Sequence, residues 1–260
     1  MIYVVPMGGL CNRMRVINSV YKLFGDKKRI TVLWAVNDEC AISSKELFTL
    51  PDKIKILNFS HYDPIMRRLW TLFYKACRFL CHKNLINQEY TNEIRDDKDK
   101  IEQAFAAENI FFESCSDLLT LMPCDIFTPI PQIQEQVKNI IGSKNFDSMH
   151  IRRTDNAPSI EGSSNDAFER TLQKLTEQNR QVFLATDDEN LKSYLLQKYP
   201  DTVFSNESIP LSRKSKEGMQ AAYCDLLCLS EGETIYGSYY SSFTDVASCI
   251  KGARLVIVRD

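Results

Sequence analysis

Several absences narrow this sequence before any motif does. No run approaches the roughly 18 consecutive apolar residues that span a bilayer, so a transmembrane helix is not expected. Neither charge dominates, with 32 Lys and Arg against 34 Asp and Glu. That speaks against a nucleic-acid surface and confines any anion binding to a local cluster. The opening MIYVVPMGG has no basic region ahead of its apolar residues, so no secretory signal is expected there. The nine cysteines are odd in number and none forms a CxxC pair. Reduced, buried thiols of a cytoplasmic protein are the expectation, with Cys77/Cys81 and Cys224/Cys228 each on one helical face. Neither the GxGxxG dinucleotide fingerprint nor the P-loop pattern occurs.

What is present is an alternation of short apolar runs with helical periods. Strands are expected at 2–6, 30–36, 54–59 and 109–115. Helices are expected at 12–24 (closed by Gly25), from about Ser43 with a Ser43–Glu46 capping box, at 62–83, and over the polar stretch 90–107. The second half reads as strands at 148–152, 181–186, 202–205, 234–237 and 254–258. Helices at 164–178, 188–199, 216–230 and 242–251 separate them. Repeated strand–helix–strand units imply parallel sheets covered by helices on both faces. Pro123, Pro129, Pro131 and Gly142 mark 123–147 as the boundary region, which divides the chain into 1–142 and 143–260.

In an open parallel sheet, ligands collect beyond the carboxyl ends of the strands, and three polar clusters fall at such ends. MGGLCNR follows the first strand, RRTDN follows 148–152, and TDD (186–188) follows 181–185. Gly8 and Gly9 permit close backbone approach beside a helix N-terminus, which suits an anion; the plain alternative is a βα turn. Arg152 and Arg153 end an apolar strand, where desolvation is expensive. Guanidinium forks match phosphate oxygens two at a time, so a diphosphate clamp is one reading. A surface ion pair with Asp155 is the other, and Asp155 could equally orient one arginine. Asp187 and Asp188 are read as a helix cap rather than metal ligands, with Asp187 a candidate ligand contact. His150, inside the strand, reads as a core histidine before a base. The basic and aromatic segment 61–83 offers two readings: a peripheral membrane-surface or acceptor-binding helix, or a core-packed helix with a solvated basic face.

These clusters, in this order, with GSYYSSFTDVAS near the C-terminus, resemble the GDP-fucose-dependent fucosyltransferases of the α1,6 type (the nodulation and core N-glycan enzymes). The α1,2 and protein O-fucosyltransferases are more distant. GGLCNRMR (8–15), HIRRTD (150–155), ATDD (185–188) and the stretch from Asp225 to Ser242 carry the likeness; residues 60–145 match nothing specific. The chain departs from the pattern at Cys11, where the family has Gly, and at Asn156, where the α1,6 members have Lys. Glu161, near the place of the family's presumed base carboxylate, is displaced by one.

The resemblance implies an α/β fold of GT-B type: two Rossmann-like parallel-sheet domains facing across a cleft, the acceptor on the first and the nucleotide sugar on the second. It implies that Arg152 contacts the β-phosphate and that Arg153 supports it or the sugar. His150 and Asp225 would sit on the guanine side. Ser241 and Ser242 would bind phosphate with the helix N-terminus at Phe243, and Asn12, with Gly8 and Gly9, would lie near the donor phosphates. Asp155 or Glu161 would take the acceptor proton. The expected activity is inverting transfer of fucose from GDP-fucose to a glycan or oligosaccharide acceptor, without cofactor or metal. The location expected is cytoplasmic, with membrane-peripheral contact through 61–83. The alternatives are a catalytically silent nucleotide-sugar or glycan-binding protein, favoured by Asn156, and a transferase using another nucleotide sugar.

Overall fold

The computed structural model describes residues 1–207, 212 and 214–260, and the chain separates into two compact units. The first comprises Met1–Ile130 with Arg213–Met219, and the second Pro131–Ser212 with Gln220–Asp260.

The first unit runs β1 (Ile2–Pro6), α1 (Leu10–Phe24), β2 (Ile30–Val36), a 3-10 turn at Ser44–Glu46, β3 (Phe48–Thr49), β4 (Ile54–Ser60) and α2 (Pro64–Leu80). It continues through β5 (Lys83–Leu85), α3 (Gln88–Ile94), α4 (Lys98–Ala104), β6 (Ile110–Ser114) and β7 (Thr128–Pro129). Five strands form a sheet of order β4-β2-β1-β6-β5, every pairing parallel. β1 and β2 read as unbroken apolar runs because helices cover both sheet faces, so alternation would leave polar groups buried. β1 lies at the centre with its next strands on opposite sides, which makes its carboxyl end a switch point in the topology.

Two local expectations change here. The stretch 90–107 is two short helices broken at Asp96, which takes φ 65. Its carboxylate instead accepts from the Thr120 N–H at 2.7 Å. The Ser43 capping box does not form: the Glu46 N–H is taken by the Ser43 backbone carbonyl in a single 3-10 turn. The Ser43 hydroxyl is buried without a partner among the described residues. Helix α2 is capped by Asp63, whose carboxylate accepts from the N–H groups of Ile65 and Met66. It packs on the sheet through Met66, Trp70, Phe73, Tyr74 and Cys77.

The second unit runs α5 (Pro131–Ile141), β8 (Phe146–Ile151), α6 (Ala157–Gly162), α7 (Asn165–Glu177), β9 (Gln181–Thr186), α8 (Glu189–Lys198) and β10 (Val203–Phe204). It ends with α9 (Lys216–Ser230), β11 (Thr234–Ser238), α10 (Ser242–Lys251) and β12 (Arg254–Val258). Its sheet has order β10-β9-β8-β11-β12, again all parallel. The core joins Met149 and Ile151 of β8 to Phe168, Leu172 and Leu175 of α7 and to Val182 and Leu184 of β9. Helices α5 and α6 were not anticipated. Each opens with a proline in its first turn, where a missing N–H costs nothing; Pro131 lies in the stretch expected to be the domain boundary. All six residues of β8 are buried. With β9 on one side and β11 on the other, its carboxyl end is the second switch point.

Candidate functional site

Strand β8 delivers the chain at that switch point directly into Arg152. The turn that follows is organised by Asp187, at the end of β9. One Asp187 oxygen accepts from the Arg153 N–H at 2.7 Å. The other accepts from the Thr154 N–H at 3.2 Å and the Thr154 hydroxyl at 2.6 Å, and pairs with the Arg152 guanidinium at 2.9 Å. All of Asp187's visible bonds thus go to this turn, and it is a scaffold of the arginine loop. Its neighbour Asp188 is the cap of α8, accepting from Asn190 and Leu191.

The two arginines divide the work. Arg153 points into the protein: its guanidinium donates to Asn165 Oδ1 at 2.6 Å, to the Arg152 carbonyl at 2.8 Å and to the Ser163 carbonyl at 2.8 Å. It also lies over the Phe168 ring. Burial pulls it below the usual guanidinium value, opposed by Asp187 and Asp188. Arg152 stays on the rim, its side chain 24% exposed, one guanidinium nitrogen on Asp187 and the other on half-exposed Asp155. The ion pair with Asp155 therefore exists. Arginine donors so placed match an oxyanion in shape as well as charge.

The β11–α10 turn closes the other side. Ser238 accepts from the Arg152 N–H at 2.9 Å and donates to the His150 carbonyl. Asn156 caps α6, accepting from the Ser159 N–H, and donates to the Tyr240 carbonyl at 2.9 Å. Asn156 is thus a structural tie between two loops. Tyr240 takes φ 52. Ser241, in the cap position of α10, makes no side-chain capping bond. The first amide groups of that helix, at Ser242 and Phe243, present the positive end of its dipole. Gly237 is required for this packing: a Cβ there would lie 2.0 Å from Thr244 Cγ2.

His150 is buried, with Nδ1 2.8 Å from Thr244 Oγ1 and its ring stacked on Phe243. Desolvation, only partly offset by Asp187, pushes its pKa down to about 3. It is neutral near pH 7 and is no proton carrier there. Asp225, on α9, is buried and accepts from Asn206 Nδ2 at 2.9 Å, while Lys192 donates to the Asn206 carbonyl. Burial pushes its pKa up to about 6, against the Asn206 hydrogen bond and the Lys192 charge. Glu161, on α6, is exposed and makes no hydrogen bond or ion pair among the described residues.

Gly8, Gly9 and Asn12 belong to the first unit, at the carboxyl end of β1. Gly8 takes φ +80, and a Cβ there would meet Asn12 Nδ2 at 2.8 Å. The turn is held by Arg13, which is buried and went unnoticed in the sequence. It donates to the carbonyls of Gly8 and Ala35 and to Asn37 Oδ1, stacked against Trp34. Thr154, Asn165, Ser238, Asn206 and Lys192 were likewise missed. Only their partners, far along the chain, give them a role.

No family model matches the chain, and no curated protein matches it. Solved structures do. NodZ alpha-1,6-fucosyltransferase soaked with GDP-fucose superposes at TM-score 0.56 with 14% identity, covering 95% of this chain and 92% of that one. Fucosyltransferase NodZ from Bradyrhizobium gives TM-score 0.55, 15% identity, and 94% and 92% coverage. POFUT1 in complex with GDP-fucose gives TM-score 0.53, 11% identity, and 99% and 98% coverage. At such identities the likeness is one of fold: the chain has the α/β, GT-B-type fold of the GDP-fucose fucosyltransferases.

Proposed function

We propose that the protein is an inverting glycosyltransferase that moves fucose from GDP-fucose to an oligosaccharide or glycan acceptor, the second unit holding the nucleotide and the first the acceptor. The observation that carries this reading is Arg152 on the rim of the β8 switch point, its guanidinium paired with Asp187 and its backbone N–H held by Ser238, together with an α10 N-terminus that has no side-chain cap.

As the C1–oxygen bond breaks, negative charge grows on the diphosphate. A fixed guanidinium and helix amides stabilise that charge more than the ground state, and this difference accelerates the step. The arginine supplies the countercharge without a metal. Asp155, half-exposed, is the exchangeable partner that yields Arg152 to the phosphate; Asp187, more buried and tied to the loop backbone, stays. Glu161, unpaired, receives the acceptor hydroxyl's proton as the oxygen attacks C1 from the opposite face. Asp225 accepts from the guanine N–H and amino groups, with His150 and Phe243 alongside.

Two measurements test this together. A ligand at about 100 times its dissociation constant adds about 2.7 kcal/mol of stability, so GDP is expected to raise the melting temperature well above the shifts given by UDP or ADP. Incubation of GDP-fucose with oligosaccharide acceptors is expected to release GDP. Equal shifts for all three nucleotides would refute the guanine assignment. A clear GDP shift without release from any acceptor would refute the transferase and leave a binding protein.

A further inference from the structure

Helix α2 carries more apolar surface than the sheet beneath it covers. Its packed seam uses positions 66, 70, 74 and 77, which bury against Leu57, Phe59 and Phe111, with Phe73 also against Phe59. A second stripe, on the adjoining face, is Ile65, Leu69, Leu72, Phe79 and Leu80, all exposed, with Phe73 on the border between the two. Leu72 is 64% accessible and Phe79 88%. Single exposed apolar residues need no explanation, but a contiguous row along a four-turn helix does. Nothing among the described residues covers it.

The third face of the helix is cationic. Arg68 lies one turn from Ile65 and Leu72, and Lys75 one turn from Leu72 and Phe79, so both border the exposed stripe. Arg67 and Arg78 lie further round. None of Arg67, Arg68 and Lys75 makes an ion pair among the described residues. The one acid between 61 and 83 is Asp63, used up as the N-cap. This segment is therefore strongly basic on a chain whose formal charge is −2. Among the described residues no helix is long and apolar enough to cross a membrane.

We infer that this face of α2 docks in plane on an anionic lipid surface. The stripe enters the boundary between headgroups and acyl chains, while Arg68 and Lys75 reach along its edge to the lipid phosphates. A second copy of the chain is a poorer occupant. Two such faces would bring free cations together with no acid to answer them.

The test is flotation of the full chain with vesicles of phosphatidylcholine alone or mixed with phosphatidylglycerol, at low and high salt. Binding is expected on the mixed vesicles only and is expected to weaken with salt. Arg68→Gln with Lys75→Gln is expected to weaken it about 25-fold, at about fivefold per basic residue. Leu72→Ser with Phe79→Ser is expected to lower it at least about tenfold, with an unchanged melting temperature because both side chains face solvent. Equal binding to both vesicle types, no binding at low salt, or binding retained by the serine variant would each overturn the inference. So would a concentration-dependent dimer that the serine variant dissolves. Should the serine variant unfold, the lipid and salt comparisons on the unaltered protein decide.

Discussion

Asp225 offers the sharpest test, because its structural setting makes two pH dependences of opposite sign. Its carboxyl is buried with one hydrogen-bond donor among the described residues, Asn206, and its pKa is pushed from 3.8 up to about 6. A raised carboxyl pKa means that the folded state holds its proton more tightly than the unfolded chain. This group therefore costs no stability below about pH 4, and the cost develops as pH rises to about 6. A gap of about two pH units, at about 1.4 kcal/mol per unit, makes that cost about 3 kcal/mol in the ligand-free protein. The proposed guanine contact runs the other way, because only the ionised carboxylate accepts from both base donors. Affinity for GDP-fucose, whose diphosphate does not titrate in this range, is expected to fall about tenfold per pH unit below about 6. The assay is denaturant unfolding and ligand titration between about pH 4 and 7, on the protein and on Asp225→Asn. The variant is expected to be more stable than the parent at pH 7, to lose the difference by about pH 4, and to bind GDP-fucose weakly throughout. Parallel stability profiles for the two proteins would refute the buried-carboxyl argument. A flat affinity between about pH 5 and 7 would refute the guanine contact.

Arg152→Lys keeps the charge but loses the two-pronged fork, so it is expected to fail nearly as badly as Arg152→Ala in GDP-induced stabilisation, a charge-assisted bond being worth about 1.5–3 kcal/mol. The ligand-free melting point is expected to move little, because Asp187 keeps its Arg153 and Thr154 bonds; unfolding on Arg152→Ala would make the arginine structural. Glu161→Gln is expected to lower turnover about 10²–10⁴-fold with GDP affinity unchanged, whereas Asp155→Asn is expected to keep turnover and tighten GDP. The reverse outcome, read by initial rates and calorimetry, exchanges the two roles. Turnover in EDTA is expected to equal that with magnesium or manganese, and a strict requirement for either ion would count against the arginine-based mechanism.

Much of this molecule is written in local patterns. The apolar runs of β1, β2, β8 and β9 are short enough for strands and too continuous to be wetted on one face, which dictates parallel sheet under helices. Two arginines closing such a run already point to an anion. The Gly8–Gly9 pair marks a tight βα turn, and the positive φ of Gly8 is of the kind only glycine adopts readily. Local patterns failed where one residue type signals two things. Pro131 opens a helix but looks like a break, and Ser43 and Glu46 have capping-box spacing yet form one 3-10 turn.

What the sequence by itself could not decide is which side chain bonds which across the fold. Asp187 serves a turn 33 to 34 residues earlier in the chain, Ser238 holds Arg152 from 86 residues away, and Asn206 fixes the oxygen of Asp225. Arg152 and Arg153 are indistinguishable neighbours in the sequence. Only the packing of α7 and the Ser163 carbonyl turns one inward and leaves the other on the rim. The same holds for α2, whose periodicity announces a wide apolar surface but not how much of it the sheet covers. Secondary structure follows from short-range periodicity and turn chemistry, whereas polar pairing and residual exposure depend on which distant strand ends the topology brings together.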